Sequence, residues 1–267
     1  MARETMEAVA IYIRQCADRE VGLAELAQKF HYSPSHLSRT FKKKMGFSIK
    51  QYQEALKIEK GIQEIIEGRQ NVTETSLEVG YDSLGSFSNT FKRHTGLSSK
   101  RYYQESTKAY DCMIKQLEEK GTLLHQDPHY RSSNRLVVEL LYPADYEPRI
   151  SCVGLFKTRM PKEAPVVGVA LSQERRFTFA NVPNGQYYLL ACELLEDLRL
   201  TKNYVLKHNF RWGSDEPLTF TGDSARQEKI LMRRPLPSDP PITINLPVFV
   251  MRSLATQAQL RIRNFLS

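Results

Sequence analysis

The chain has 267 residues, long for one domain and comfortable for two, and its 41% hydrophobic and 25% charged residues are those of an ordinary globular protein. Its formal net charge of +8 and pI of about 9.2 favour polyanionic partners. No apolar run reaches the length of a membrane span, the opening Met1-Ala2-Arg3-Glu4 is no signal peptide, and the dispersed Cys16, Cys112, Cys152 and Cys192 have neither disulfide-framework nor zinc spacing. These features predict a soluble cytoplasmic protein with reduced, buried thiols and no membrane partner.

Helical periodicity starts at once. Glu4 to Cys16 carries Met6, Val9, Ile13 and Cys16 on one side, and Leu23 to Phe30 turns Leu23, Leu26, Ala27 and Phe30 inward. Ser33 is a good N-cap and Pro34 suits the first helical position, so the next helix runs from Pro34 to Lys44 and stops at Gly46. Leu37 and Phe41 mark its buried face, whereas Ser35, Ser38, Arg39 and Lys42 face away. Helix, tight turn and helix make a helix-turn-helix unit over about 23–44. Short polar residues at the helix start and basic ones further on suit insertion in a major groove with phosphates at the far end.

Ser48 to Glu67 reads as a linker helix with Ile49, Tyr52, Leu56, Ile62 and Ile66 inside. It is about 30 Å long. Gly61 within it costs roughly 1 kcal/mol relative to Ala, which predicts a packing reason.

The segment Ser38 to Tyr52 is then echoed by Ser88 to Tyr102. Thr73 to Val79 is a short helix without a capping box, and Leu84 to His94 is a second recognition helix with Phe87 and Phe91 in place of Leu37 and Phe41. Gly85, Ser86, Asn89 and Lys92 face out, giving a second unit over about 73–94. Both copies carry an acid-free basic stretch: Arg39, Lys42, Lys43, Lys44 and Lys50 in the first, and Lys92, Arg93, Lys100 and Arg101 in the second. A solvated helix face explains one such run less strainedly than two at matching places.

Ser99 to Ser106 reads as a closing helix and Thr107 to Thr122 as a connecting one, with Tyr110, Met113, Ile114 and Leu117 on one side. After Pro128 the texture becomes β. Short strands are predicted over 136–141, 152–158, 166–171, 177–179, 186–192, 218–221, 228–232 and 242–246, followed by a terminal helix from Phe249 to Phe265 with Val250, Leu254, Ala258, Leu260 and Ile262 available for packing. Strands this regular predict a sandwich. The fold class is therefore an all-α N-terminal domain (1–106), a connecting segment (107–127) and a mainly-β sandwich (128–267) with a terminal helix.

The first 105 or so residues resemble the DNA-binding domain of the AraC/XylS transcription regulators. The resemblance is carried by Tyr12-Ile13, Leu26-Ala27, Leu37-Ser38-Arg39, Phe41-Lys42, Gly46, Ser48 and Tyr52. Val79-Gly80-Tyr81, Ser83, Phe87, Phe91-Lys92, Gly96-Leu97-Ser98 and Tyr102 carry it in the second half. It implies a seven-helix domain whose two units enter successive major-groove segments on one face of double-stranded DNA. Base readers would be Ser35, Ser38 and Arg39 in the first head and Gly85, Ser86 and Asn89 in the second. Lys42, Lys43, Lys44, Lys92 and Arg93 would contact phosphates. Arg39 suits guanine and Asn89 adenine. His36 is open between DNA contact and packing. Phe41, Phe87, Phe91, Tyr52, Tyr81 and Tyr102 are core. The chain departs from the pattern at Thr75-Ser76, Ser99, Leu84 and Gly85, and it carries the domain first rather than last. The departures predict a looser second core and a weaker second reader.

Phe177-x-Phe179-x-Asn181-Val182-Pro183-x-Gly185-x-Tyr187-x-Leu189 looks like the strand–turn–strand signature of prealbumin-like, carboxypeptidase-regulatory sandwiches, with Phe177, Phe179, Tyr187 and Leu189 inward. Trp212, Tyr204, Phe210 and Phe220 read first as core and second as a ligand site. Arg175, Arg176, Arg226, Lys229, Arg233 and Arg234 would extend a DNA footprint or bind an acidic effector, and the sequence does not choose. No G-x-S-x-G, P-loop or H-E-x-x-H motif is present. The string His125, Asp127, His129 lacks a fourth metal ligand of suitable spacing, so no metal, cofactor or catalytic residue is expected. The functional reading is a bacterial sequence-specific transcription regulator, an activator controlled through its C-terminal domain. RNA polymerase, a small-molecule or protein effector, and a second copy of the chain are open as partners. The alternative is an interaction adaptor whose sandwich binds a partner while DNA binding is secondary.

Overall fold

The computed structural model describes residues 2–17, 19–68, 71–126, 130–194 and 209–266. Helices occupy its first half: α1 (Ala2–Gln15), α2 (Leu23–Lys29), α3 (Pro34–Met45), α4 (Ile49–Glu67), α5 (Val72–Glu78), α6 (Leu84–Thr95) and α7 (Tyr102–Lys120). A single 3-10 turn, Ser99–Arg101, leads into α7. Met6, Val9, Ile13, Leu26 and Ala27 are buried as periodicity required, but Leu23, expected inside, is 37% exposed at the start of α2. The expected closing and connecting helices are one continuous α7, capped by Gly121. The sheet begins immediately after it, before the boundary expected at 128.

The second unit is also capped differently from the expectation. Its first helix, α5, is capped by Asn71, two residues before Thr73. The Asn71 side chain accepts from the backbone N–H groups of Thr73 and Glu74, both at 3.0 Å, and Glu74 accepts back from Asn71 N at 3.2 Å. That is a complete capping box; the reading from Thr73 placed the cap two residues late.

Nine strands follow: β1 (Thr122–His125), β2 (Arg135–Leu141), β3 (Ile150–Phe156), β4 (Val167–Leu171), β5 (Arg176–Ala180), β6 (Gly185–Leu194), β7 (Arg211–Gly213), β8 (Leu218–Phe220) and β9 (Ala225–Leu231) among the described residues. Six of them form one sheet in the order β1-β4-β3-β6-β7, with β8 also paired to β6; β5-β2-β9 form a second sheet. All pairs are antiparallel except β2 with β9. Residues 242–246, expected as a strand, instead lead into the terminal helix α8 (Leu246–Leu266). Proline and asparagine explain this: Asn245 Oδ1 accepts from Val248 N at 3.2 Å and so caps α8. β1 and β7 were missed because four- and three-residue strands carry too little alternation. Ala258, Leu260 and Ile262, expected to pack, lie outside the described side chains.

Strand alternation sorts the β residues into two cores. Leu136, Val138 and Leu140 of β2, Val153 and Leu155 of β3, and Phe179, Tyr187 and Leu189 of the signature fill the space between the sheets. Asn134 ties the signature turn to the far hairpin. It donates to Val182 O at 2.8 Å and accepts from Gly222 N and Ser224 N, both at 2.9 Å. The six-stranded sheet is covered on its other face too, and β3 is buried along its whole length. Its outward Ile150, Cys152, Phe156, Ala170 and Cys192 share a core with Phe87, Phe91, Met113, Leu117 and Leu246. The second helix-turn-helix unit and the sandwich are therefore welded through one hydrophobic cluster. The first unit has its own, built from α1 to α4 with Met160 added from the β region. Of the cysteines, Cys152 and Cys192 are buried cross-strand neighbours with free thiols, whereas Cys112 is exposed against expectation.

Helix α4 joins the two helical cores. Ile49, Tyr52 and Leu56 lie in the first and Ile58, Ile62 and Ile66 in the second. Gly61 has the packing reason anticipated: a Cβ there would sit 3.0 Å from the Phe87 ring. Thr75 and Ser76 of α5 are fully buried. Ser76 Oγ donates to Thr73 O at 2.7 Å, but Thr75 Oγ1 has no hydrogen-bond partner among the described residues.

A polar node fixes the second head to α4 and the sandwich. Glu54 of α4 accepts from His94 Nε2 at 2.8 Å and Lys162 Nζ at 2.6 Å, and it pairs with Arg93 Nη2 at 2.9 Å. Those contacts, the one from His94 foremost, hold the Glu54 carboxyl well below its usual range. His94 is fully buried, and burial pushes its pKa down despite Glu54. The neutral ring then donates from Nε2 and accepts at Nδ1 from Thr243 Oγ1 at 2.9 Å.

Replacing Thr75 with Val removes an unpartnered buried hydroxyl at equal volume, and denaturant melts should show a gain of about 1 kcal/mol. The lowered His94 pKa means the unfolded chain takes up the proton first, so this stability is fully present above about pH 6.5 and is lost as pH falls from there through the depressed folded-state value. Melting temperature should drop between pH 7.5 and 5.5, and His94→Gln should flatten that drop; an unchanged slope in the variant would remove His94 as its origin.

Candidate nucleic-acid interface

The two recognition helices are built alike. Ser33 caps α3 by accepting from His36 N at 3.4 Å, with Pro34 in its first turn, and Ser83 caps α6 by accepting from Ser86 N at 3.2 Å. Gly46 and Gly96 end them in the left-handed region, at φ 81° and 78°, and their N–H groups donate to Lys42 O and Lys92 O. Lys42, Lys43 and Lys44 stand in the last turn of α3, and Lys92 and Arg93 in that of α6, where cations suit the helix dipole. One side of each helix is anchored by rings: Phe41 packs against Phe47 and Tyr52, and Phe91 against Phe87 and Tyr102. Burial pushes the Tyr52 and Tyr102 phenols up, so both stay neutral.

The other side is open. Ser35, Arg39, Lys42, Lys43 and Lys44 are exposed on α3, with Ser38 half-buried between them. Gly85, Ser86, Asn89, Lys92 and Arg93 are exposed on α6. Arg39 Nε lies 3.3 Å from Ser35 O, so its guanidinium lies back along the exposed face toward the helix start. His36 is exposed with its ring edge against Tyr32. Arg93 differs from the other basic residues, because its guanidinium reaches Glu54 in the node described above. Leu84, at the start of α6, is 41% exposed where a polar side chain was the expectation of the pattern.

The groups that hold these helices from outside the domain carry no local signal in the sequence. Arg159, in the segment after β3, donates to Met45 O at 3.2 Å, and a Cβ on Gly46 would meet its Cδ at 2.6 Å. Arg252 of α8 donates to Gly96 O at 3.0 Å, and Phe249 packs over the same glycine. Both recognition helices are thus clasped at their C-terminal ends by arginines from the second half of the chain. Nothing local in sequence signals a contact across more than a hundred residues. Trp212 is half-buried, Phe210 and Phe220 are core, and Tyr204, Asp127 and His129 lie outside the described residues. His125 hydrogen-bonds Ser253 of α8. Among the described residues, no helix is long and apolar enough to cross a membrane and no three His, Cys, Asp or Glu residues are grouped to hold a metal.

Residues 26–105 match the model of a helix-turn-helix domain family. The uncharacterized HTH-type transcriptional regulator YobQ of Bacillus subtilis is 30% identical over 91 residues, 34% of this chain and 38% of that protein. An uncharacterized HTH-type transcriptional regulator of Staphylococcus aureus is 29% identical over 94 residues, 35% of this chain and 13% of its own length. Among solved structures, the C-terminal domain of AraT, a response regulator from Geobacillus stearothermophilus, aligns at 25% identity and a TM-score of 0.36, covering 38% of this chain and 84% of that one. The chain spans well under half of the curated relatives it matches, and the family match stops in the first turn of α7. Residues 26–105 belong to the AraC-type helix-turn-helix domain family.

Proposed function

We propose that this chain is a sequence-specific double-stranded DNA-binding transcription regulator. Its two recognition helices enter adjacent major-groove segments, and it acts as an activator under the control of its β domain. The observation that carries the reading is the pair of identically capped helices, each with an open polar face and a basic last turn, joined by one helix rooted in both cores. Helix α4 has 19 residues and spans about 28 Å, close to the roughly 34 Å of one duplex turn. Arg39, exposed and aligned along its helix, is the discriminating reader. The second head, with Gly85, Ser86 and Asn89 and with Arg93 partly engaged by Glu54, reads less and clamps more. The names of the relatives, HTH-type transcriptional regulators, accord with this role.

Footprinting on selected genomic fragments should show two protected major-groove segments about one turn apart; a single one would overturn the two-head reading. Arg39→Ala should cost about 1–3 kcal/mol of discrimination at one base position. Lys43→Ala should weaken all sequences alike and lower the salt slope by about one. Binding that is absent or indifferent to salt would instead favour the adaptor reading.

A further inference from the structure

A cavity of about 290 Å³ lies where the first head meets the sandwich, and the DNA-binding reading makes no use of it. Met45 and Phe47, flanking the end of the first recognition helix, form one wall. Leu190 and Cys192 of β6 with Arg211 and Trp212 of β7 form a second, and the segment from Leu236 to Leu246 closes it. The exposed Asp215 and Leu236 mark the side that meets solvent.

The charges on these walls are matched except at one place. Arg233 grips Asp239 through two contacts of 2.8 Å, and Asp239 also accepts from Leu236 N at 2.8 Å. Arg3 is engaged by Glu7 and Asp215, and Arg159 by Met45 O and Asp215. Arg211 is only 7% exposed, and the one hydrogen bond of its guanidinium among the described residues is a long one, Nη1 to Pro240 O at 3.4 Å. Its Nε and Nη2 are buried with no partner among the described residues. Those two N–H groups form the side edge of the guanidinium, whose parallel donors fit the two oxygens of a carboxylate. Arginine stays protonated in proteins, and although Asp239 and Glu59 act on Arg211 through space, neither supplies an acceptor to its Nε or Nη2. Around it the wall is apolar, with Phe47, Phe156, Leu190, Trp212 and Ile242.

We infer that this cavity is a binding site for a small monocarboxylate with an apolar body, the carboxylate paired with Arg211 and the body held by the Phe47–Trp212–Ile242 wall. A single charge is specified because every other cation on the wall already has its acid. The volume lies near the lower end for ligand pockets, which sets the size of an aryl or branched aliphatic acid. Met45 and Arg159 belong to the clasp on the first recognition helix, so an occupant bears directly on that head. That this makes the ligand an effector rests on the DNA-binding reading; the site itself does not.

Trp212 is the only tryptophan of the chain and stands on the wall, so its fluorescence reports on the site. The full chain is titrated with benzoate, phenylacetate and 4-methylpentanoate, and with the three corresponding amides. At least one acid should give a saturable change and its amide none. Arg211→Gln should weaken that acid at least tenfold. Ile242→Phe, which fills the cavity and leaves the buried charge alone, should abolish the response without lowering the melting temperature; it carries the test if the Arg211 variant does not fold. No saturable response to any of the acids, an equal response to an amide, or unchanged affinity in both variants would overturn the site. DNA affinity is measured with and without the responding acid, and about a fivefold shift or more is expected. A Trp212 response in a chain that binds no DNA overturns the regulator reading and leaves the site standing. DNA affinity unmoved by a saturating acid overturns its effector role.

Discussion

Everything about the paired heads depends on α4 being buried at both ends in different cores. Tyr52 stacks with Phe47 in the first, and Ile62 and Ile66 pack with Val79 and Phe87 in the second. A helix held by hydrophobic contacts along its whole length cannot swivel on a loop, so the two recognition helices have one fixed relation. Gly61 shows how close the fit is, since the Phe87 ring occupies the place of the missing side chain.

The β region adds to that rigidity rather than hanging from it. One face of the six-stranded sheet fills the core of the second head, α8 lies against α7, and Asn245 reaches Ser106 Oγ at 2.7 Å across that contact. The first head is held more lightly, by Met160, by Arg159 at Met45, and by Arg14, which pairs with Glu59 and donates to Pro237 O and Asp239 O. The second head shares a hydrophobic core with the sheet, whereas the first meets the β region through polar contacts around a cavity.

Much of the helical half was legible in the sequence. Leu37, Phe41, Phe87 and Phe91 announced the buried faces, serines and glycines announced the caps, and exposure at Ser35, Arg39, Ser86 and Asn89 followed from helical period alone. The sandwich was legible as a class, because alternation at Phe177, Phe179, Tyr187 and Leu189 is local. Errors fell where a short element or a competing cap decided the outcome: the box at Asn71 and Glu74, the three-residue β7, and the stretch at 242–246 that Asn245 turned into a helix start. The break expected between closing and connecting helices was absent because nothing between Ser106 and Thr107 stops a helix.

By itself the sequence determined two recognition helices, their caps, their open faces and a β-rich partner region, since each of these rests on residues within a turn or a strand of one another. Only the tertiary structure decided what holds them. Glu54 with His94 and Lys162, Arg159 at Gly46, Arg252 at Gly96, and Arg211 beside a cavity against the first head all join residues far apart in the chain. Such contacts depend on how packed layers meet and on which charges are left without partners when they do, and neither quantity is encoded in any local pattern.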